Sequence, residues 1–417
     1  MRTSIVLSGG GARGAYEAGV LSYVFERIYP RLPRGFEFDI VSGTSVGAIH
    51  AGYTAASAHL DPVPRARALT DTWTGMSLDH VLRLSASDWI GVPMRMLGIG
   101  SILRREEDGE SAGGPDVIGG LVDIAPLERL VEERIPWASL RPNLEKGRPQ
   151  VLCVACTNVH TGLVTVFLDG SLDGKAPDIS PWEPDPYAQA IHTEVTSHHV
   201  RASAAIPFLF PAVRIGAGYY LDGGLRANTP LSPPLRLGAD KLLVIALKAA
   251  PGAQKVSAQA ERAIAQPAFV LGKMLNVLIL DQLEQELRQV ETINTLLGAA
   301  TETAGTECRD AIRDAIRASR GIEYRPVETA VVRPSEDIGA IASDAYHNRR
   351  AHSRSRGLMH RMFAQSAMRG APENEADLLS YLYFDASYTE PLVELGRSDA
   401  RAAEDRILEL LGSDEVG

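Results

Sequence analysis

"FDIVSGTSVGAIHAG", residues 38–52, decides how this chain is read. It opens as a short apolar, β-branched run of the kind that makes a buried strand. It closes in small residues at helical spacing, the start of a helix expected over 46–58. Between them stands Gly43-Thr44-Ser45-Val46-Gly47, the G-x-S-x-G pattern. Placed between a strand and a helix, that pattern makes a sharp turn. Gly43 and Gly47 let the chain turn tightly and leave the space around the serine open. Ser45 then projects at the N-terminal end of the helix, whose partial positive charge favours an alkoxide over a hydroxyl. Ser45 is therefore a candidate nucleophile.

A similar unit precedes it. Residues 3–8 read as a first strand, and a helical pattern runs over 15–30. The connection is Gly9-Gly10-Gly11-Ala12-Arg13-Gly14. Its spacing Gly9-x-Gly11-x-x-Gly14 is that of a dinucleotide-binding turn. Such a site needs an acidic residue at the end of the second strand. Here Glu37 and Asp39 fall at the start of that strand, and Ser42-Gly43-Thr44-Ser45 occupy its end. Dinucleotide binding is set aside. With a serine nucleophile as neighbour, the amides of residues 10–12 can instead receive the oxygen of a tetrahedral intermediate.

Strand-like runs recur at 150–157, 163–168, 212–221 and 241–247, the last a continuous apolar run suited to burial on both faces. Strands alternating with helices predict an α/β layer fold with a largely parallel sheet. Cys153 and Cys156 form C-x-x-C inside "QVLCVACTNV". Residues three apart on a strand face opposite ways, so these read as two buried strand cysteines, in keeping with a reducing compartment. The 417 residues are 45% hydrophobic with a net charge of −10. That balance argues against a nucleic-acid partner, which selects a basic face. No apolar run is long enough for a membrane span, and none at the N-terminus suits a signal peptide.

A serine needs a base. None of the ten histidines sits in a supporting motif; His198 and His199 open a helix, and each histidine, His50 included, reads as a surface or core residue. A carboxylate is the other solution. In "YYLDGG", residues 219–224, Asp222 ends a strand-like run, and Gly223 and Gly224 add no bulk against an approaching group.

These three motifs in this order resemble the patatin-like phospholipases, which combine a GGGxxG oxyanion loop, a GxSxG nucleophile elbow and a later DGA or DGG aspartate. "RASAAIPFLFPAV" before Asp222 and "RANTPL" after it resemble the family as well, so that the likeness covers about residues 3–250. It implies a three-layer α/β/α fold around a mostly parallel sheet, with a mainly helical C-terminal extension. It also implies a Ser45–Asp222 dyad acting on phospholipids or other acyl esters, with no metal or other cofactor. Burial in a lipid-filled cleft raises the pKa of an aspartate toward working pH. Arg13 either adds charge near a lipid phosphate or is solvated. The alternative is a lipid-binding or scaffolding protein with a vestigial dyad.

The expected organisation is a catalytic domain over 1–250, with a lid or insertion at 76–120, and a helical extension over 251–417. Trp89, Met94, Met96, Leu97 and Ile99 suit an interfacial cover that docks on a bilayer; an ordinary packed connection is the other reading. Leu271 to Leu297 form an apolar stripe expected to pack on the α/β domain, and 329–334 suit one more strand. A cytoplasmic protein with peripheral membrane contact is expected, with delivery into another cell as the alternative.

Overall fold

The protein is described from a computed structural model, over residues 1–81, 117–118, 123–207, 210–225, 230–249, 282–320, 325–352 and 377–412. The proposed cover at 88–103 and residues 268–281 lie outside them.

Among the described residues, ten strands form one mixed sheet. They are β1 (Thr3–Leu7), β2 (Ile40–Thr44), β3 (Val117–Ile118), β4 (Val151–Asn158), β5 (Val164–Gly170), β6 (Ala188–His192), β7 (Ala212–Ile215), β8 (Gly218–Asp222), β9 (Lys241–Ile245) and β10 (Glu328–Val332). Five run parallel in the order β10-β9-β1-β2-β4. Beyond them β8, β7 and β3 are antiparallel to their neighbours. β5 takes the other edge of β4, and β6 pairs with β5. The single run expected over 212–221 is in fact the hairpin of β7 and β8. Gly216, at φ 59°, turns the chain there, a conformation that glycine adopts without a steric penalty.

The helices are α1 (Gly14–Tyr23), α2 (Val46–Ala56), α3 (Pro62–Thr74), α4 (Ala125–Arg134), α5 (Leu140–Glu145), α6 (Ser197–Ser203), α7 (Ser232–Arg236), α8 (Gln282–Arg320, broken at Gly305), α9 (Ile338–His352), α10 (Asp377–Leu382), α11 (Ala386–Ala402) and α12 (Glu404–Gly412).

Successive strand residues feed two apolar cores, one on each face of the sheet. Ile5, Leu7, Leu152, Val154, Cys156, Leu243 and Ile245 join the larger core with α1, α2, α3 and α11. Val6, Val151, Cys153, Leu242 and Val244 join the smaller one with Leu283, Leu287 and Val290 of α8. That is an α/β fold with helices on both faces. Cys153 and Cys156 are free and buried in opposite cores. Burying a Leu or Val side chain contributes about 1.5–3 kcal/mol, so the apolar stripe of α8 holds it to the sheet. β10 extends that sheet from the far side of the same stretch of chain.

Helix α1 packs closely on α11. A Cβ at Gly19 would stand 2.1 Å from the carbonyl oxygen of Val393, and one at Gly396 would stand 2.1 Å from that of Tyr16. Each helix thus lays its backbone in a gap left by the other's glycine. α1 leads directly out of the glycine loop, so this crossing anchors the C-terminal region beside it.

Candidate active site

Register brings Ser45 and Asp222 together across 177 residues of sequence. β2 runs parallel to β4 and ends with Thr44 opposite Ala155. β8 runs antiparallel along the same edge of β4 and ends with Asp222 opposite Cys156. The two strands therefore approach end to end and turn away from each other at adjacent positions. At that point Ser45 Oγ–H donates to Asp222 Oδ2 at 2.6 Å. The Gly224 amide donates to Asp222 Oδ1 at 2.7 Å. Asp222 is also fixed through its backbone, its amide donating to the Ala205 carbonyl and its carbonyl accepting from Thr157 Oγ1, both at 2.9 Å.

Ser45 has φ 55° and ψ −125°, outside the regions that L-residues favour. Such a conformation costs about 1–3 kcal/mol and persists only when its surroundings enforce it. Ser203, buried on α6, is one enforcer. The Ser45 amide donates to Ser203 Oγ at 2.9 Å, and that hydroxyl donates to the Ala155 carbonyl at 2.6 Å. The turn also depends on Gly43, because a Cβ there would lie 2.1 Å from the Gly47 carbonyl oxygen. Since Ser203 occupies the Ser45 amide, donors for an oxyanion must come from elsewhere.

Both members of the pair are buried, at 5% and 3% exposure. Burial pushes the Asp222 carboxyl up from 3.8 to about 6, while the bonds from Ser45 and Gly224 pull the other way. A carboxylate so placed accepts a proton near neutral pH more readily than an exposed one.

The glycine loop reaches the same point from β1. Residues Gly11–Arg13 form a single 3-10 turn, and Gly14 starts α1. Gly11 and Ser45 share the wall of one cavity, whose other walls are almost wholly apolar and include Val46, Ile49, Leu69, Met76, Leu127 and Phe384. Among the described residues, no three His, Cys, Asp or Glu side chains are grouped to hold a metal ion. None of the described helices is long and apolar enough to cross a membrane.

Residues 5–235 match the sequence profile of the patatin-like phospholipases, more than half of the chain. The protein belongs to the patatin-like phospholipase family. The family consists typically of lipid hydrolases. The chain is 24% identical over 240 residues to the uncharacterized protein YqhO of Bacillus subtilis (strain 168), covering 54% of this chain and 64% of YqhO. It is also similar to human GIVD cytosolic phospholipase A2, at 13% identity and a TM-score of 0.41 over 98% of this chain and 60% of that one. VipD from Legionella pneumophila is similar at 14% identity and a TM-score of 0.30, over 94% and 66% of the two chains. Each match spans less than two thirds of the relative's own length. The family match ends before β9 and β10, although both belong to the central sheet of this patatin-like protein.

Two features of the site are not visible in the motifs. The first corrects the expectation of a solvated Arg13. It is buried, its Nε–H donates to Ser380 Oγ at 2.8 Å, and its guanidinium lies 4.2 Å over the Tyr381 ring. The second is a buried chain of three side chains. The Trp73 indole donates to His50 Nε2 at 2.8 Å, and His50 Nδ1 stands 2.5 Å from Glu17 Oε2. An indole N–H only donates. His50 must therefore accept at Nε2 and carry its hydrogen at Nδ1, facing Glu17. Glu17 Oε1 in turn accepts the amide of Ser8, the residue before the glycines, at 2.9 Å. Burial pushes the Glu17 carboxyl up, and its bonds to His50 and Ser8 oppose that. The chain ties the glycine loop to the elbow helix and to α3. With both ring nitrogens engaged, His50 is not a base for Ser45. His199 caps α6 through bonds to Thr196 and is held neutral, burial pushing it down to about 4.

Proposed function

We propose that this protein is a lipid acyl hydrolase of the phospholipase A or lysophospholipase type, with Ser45 as nucleophile and Asp222 as its base. The observation that carries the reading is the 2.6 Å Ser45 Oγ–Asp222 Oδ2 hydrogen bond, buried at the wall of an apolar cavity. Asp222 takes the Ser45 proton as Oγ attacks the ester carbonyl carbon. The oxyanion that forms is received by the amides of residues 10–12 in the glycine loop, each donor supplying about 3 kcal/mol of barrier lowering. Collapse breaks the bond to the alcohol, which leaves with the proton held by Asp222. Water then attacks the acyl–Ser45 ester, Asp222 takes its proton, and the fatty acid departs as Ser45 recovers its hydrogen. The apolar cavity suits an acyl chain, in keeping with a family that acts on lipids.

Incubation with vesicles of mixed phospholipids, followed by mass spectrometry, should reveal released fatty acids and lysolipids. Ser45→Ala should lower that release by about 10000-fold or more while the protein stays folded, and a fluorophosphonate should label the parent at Ser45 alone. A folded Ser45→Ala variant with parental turnover defeats the proposal. Stoichiometric labelling without turnover on any lipid would assign the protein to lipid binding instead.

A further inference from the structure

We infer that Ser380 and Tyr381 are positioning residues for the oxyanion loop, so that a segment near the C-terminus, far beyond the family match, sets the geometry of the reaction centre. The inference rests on the proposed roles of Ser45 and the glycine loop.

The segment touches the loop through side chains and through backbone. Arg13 Nε–H donates to Ser380 Oγ, the Arg13 guanidinium stacks on the Tyr381 ring, and the Tyr381 carbonyl presses on Gly11. A Cβ at Gly11 would stand 2.3 Å from that carbonyl oxygen, and Gly11 has φ 57°. No side chain fits there, and the left-handed conformation itself favours glycine. The shape of the 3-10 turn is thus matched to a backbone 370 residues away. Ser380 and Tyr381 are themselves almost fully buried. The Tyr388 hydroxyl of α11 holds the Ser380 carbonyl at 3.1 Å, and α11 is locked on α1 by the Gly19–Gly396 crossing. The loop is therefore clamped from both sides, by α1 through the chain itself and by α10 through Arg13.

Two observations distinguish a positioning role from ordinary packing. Gly11 faces the same cavity as Ser45, so a shift of Tyr381 is transmitted to the atoms that would receive the oxyanion. The residues that follow, Leu382 and Phe384, line that cavity as well. Misplacing such a constellation by about 1 Å costs on the order of 100-fold in rate, and donors aimed at an oxyanion act in the transition state rather than on bound substrate.

The test is steady-state hydrolysis of a short-chain p-nitrophenyl ester. Tyr381→Ala should lower kcat by about 10- to 100-fold with KM changed by less than about two-fold. Tyr381→Phe, which keeps the ring beneath the Arg13 guanidinium, should recover most of that kcat. Arg13→Lys should behave like Tyr381→Ala, because an ammonium neither stacks in the same way nor presents the Nε–H. Should Tyr381→Ala not fold, Ser380→Ala removes a single hydroxyl and should lower kcat by about 3- to 10-fold with KM retained. Folded Tyr381→Ala or Ser380→Ala with parental kcat overturns the inference, as does a change confined to KM. Ser45→Ala, run in parallel, separates the two ideas. Turnover that survives it refutes the nucleophile assignment, whereas Ser45-dependent turnover indifferent to Tyr381 refutes only the clamp.

Discussion

The stretch from β1 to β9 and the stretch from α8 to α12 both help build the cavity beside Ser45, but in different chemical languages. The first contributes the backbone turns as well as apolar side chains such as Val46 and Leu69. Its turns exist because a glycine stands wherever a Cβ would strike a carbonyl, as at Gly43 beneath the elbow and at Gly11 in the loop. Those demands leave fixed letters at fixed spacing. The second contributes side chains of ordinary kinds, Ser380, Tyr381, Leu382 and Phe384, whose value lies entirely in where α10 and α11 put them. Many sequences satisfy that requirement, so it leaves no pattern. The lesson is that a family motif marks the turns that carry Ser45 and Asp222, while the apolar walls around them, drawn from both stretches, are written without one.

The sharpest way to probe the motif-bearing side is Asp222→Asn. Asparagine can still accept from the Gly224 amide and, with the other bond reversed, donate to Ser45 Oγ, but it cannot act as the base, so kcat should fall about 1000-fold. In the parent, kcat/KM should rise with pH through about 6 and level off above it, since Asp222 must be ionised to accept the Ser45 proton. Stability should move the opposite way. The native pKa of about 6 lies above the ordinary 3.8, so the native state binds the proton more tightly than the unfolded chain does. The parent is then undisturbed below pH 4 and loses stability between pH 4 and 6, by about 3 kcal/mol for two units at about 1.4 kcal/mol each. Asn carries no such penalty. Denaturation of both proteins at pH 4 and pH 8 should show the variant gaining on the parent at the higher pH. A gap that does not change with pH would mean that the carboxyl is not raised.

Glu17→Gln asks whether the unpatterned part of the motif-bearing side matters as much. Gln is the same shape, but Glu17 accepts two hydrogens, from Ser8 and from His50. An amide has one acceptor to offer, and Trp73 prevents His50 from switching tautomer. One donor must face another, which costs about 1–3 kcal/mol when buried, read as a lower midpoint in urea. Unchanged stability would show that the network tolerates the swap and that the deduced tautomer is wrong.

Phe384→Ala tests the wall from the C-terminal side and should have the smallest effect. Phe384 stacks on Trp73 with ring centroids 6.4 Å apart and lines the cavity. Removing the ring lengthens the apolar space, so selectivity among acyl esters should move toward longer chains by about 3- to 10-fold in relative kcat/KM. A uniform loss over all chain lengths would make Phe384 a packing residue only.

The sequence by itself determined the parallel strand–helix rhythm, the elbow at Ser45, the loop at Gly9–Gly14 and the strand end at Asp222. Each follows from a local rule: alternation of apolar residues, or glycine where the backbone has no room. The extra strand at 329–334 was legible for the same reason, and β10 lies at Glu328–Val332. What only the tertiary structure decided are relations between distant segments. Thr44 and Asp222 end at neighbouring positions along one edge of β4, which no spacing in the chain announces. His50 reads as any core histidine until Trp73 and Glu17 are found at its two nitrogens. Arg13 reads as a charge destined for water or for a phosphate until Tyr381 covers it. Local rules act over a few residues, where sequence distance and spatial distance nearly coincide. Burying an arginine or fixing a tautomer depends on partners that the packed fold alone brings within reach.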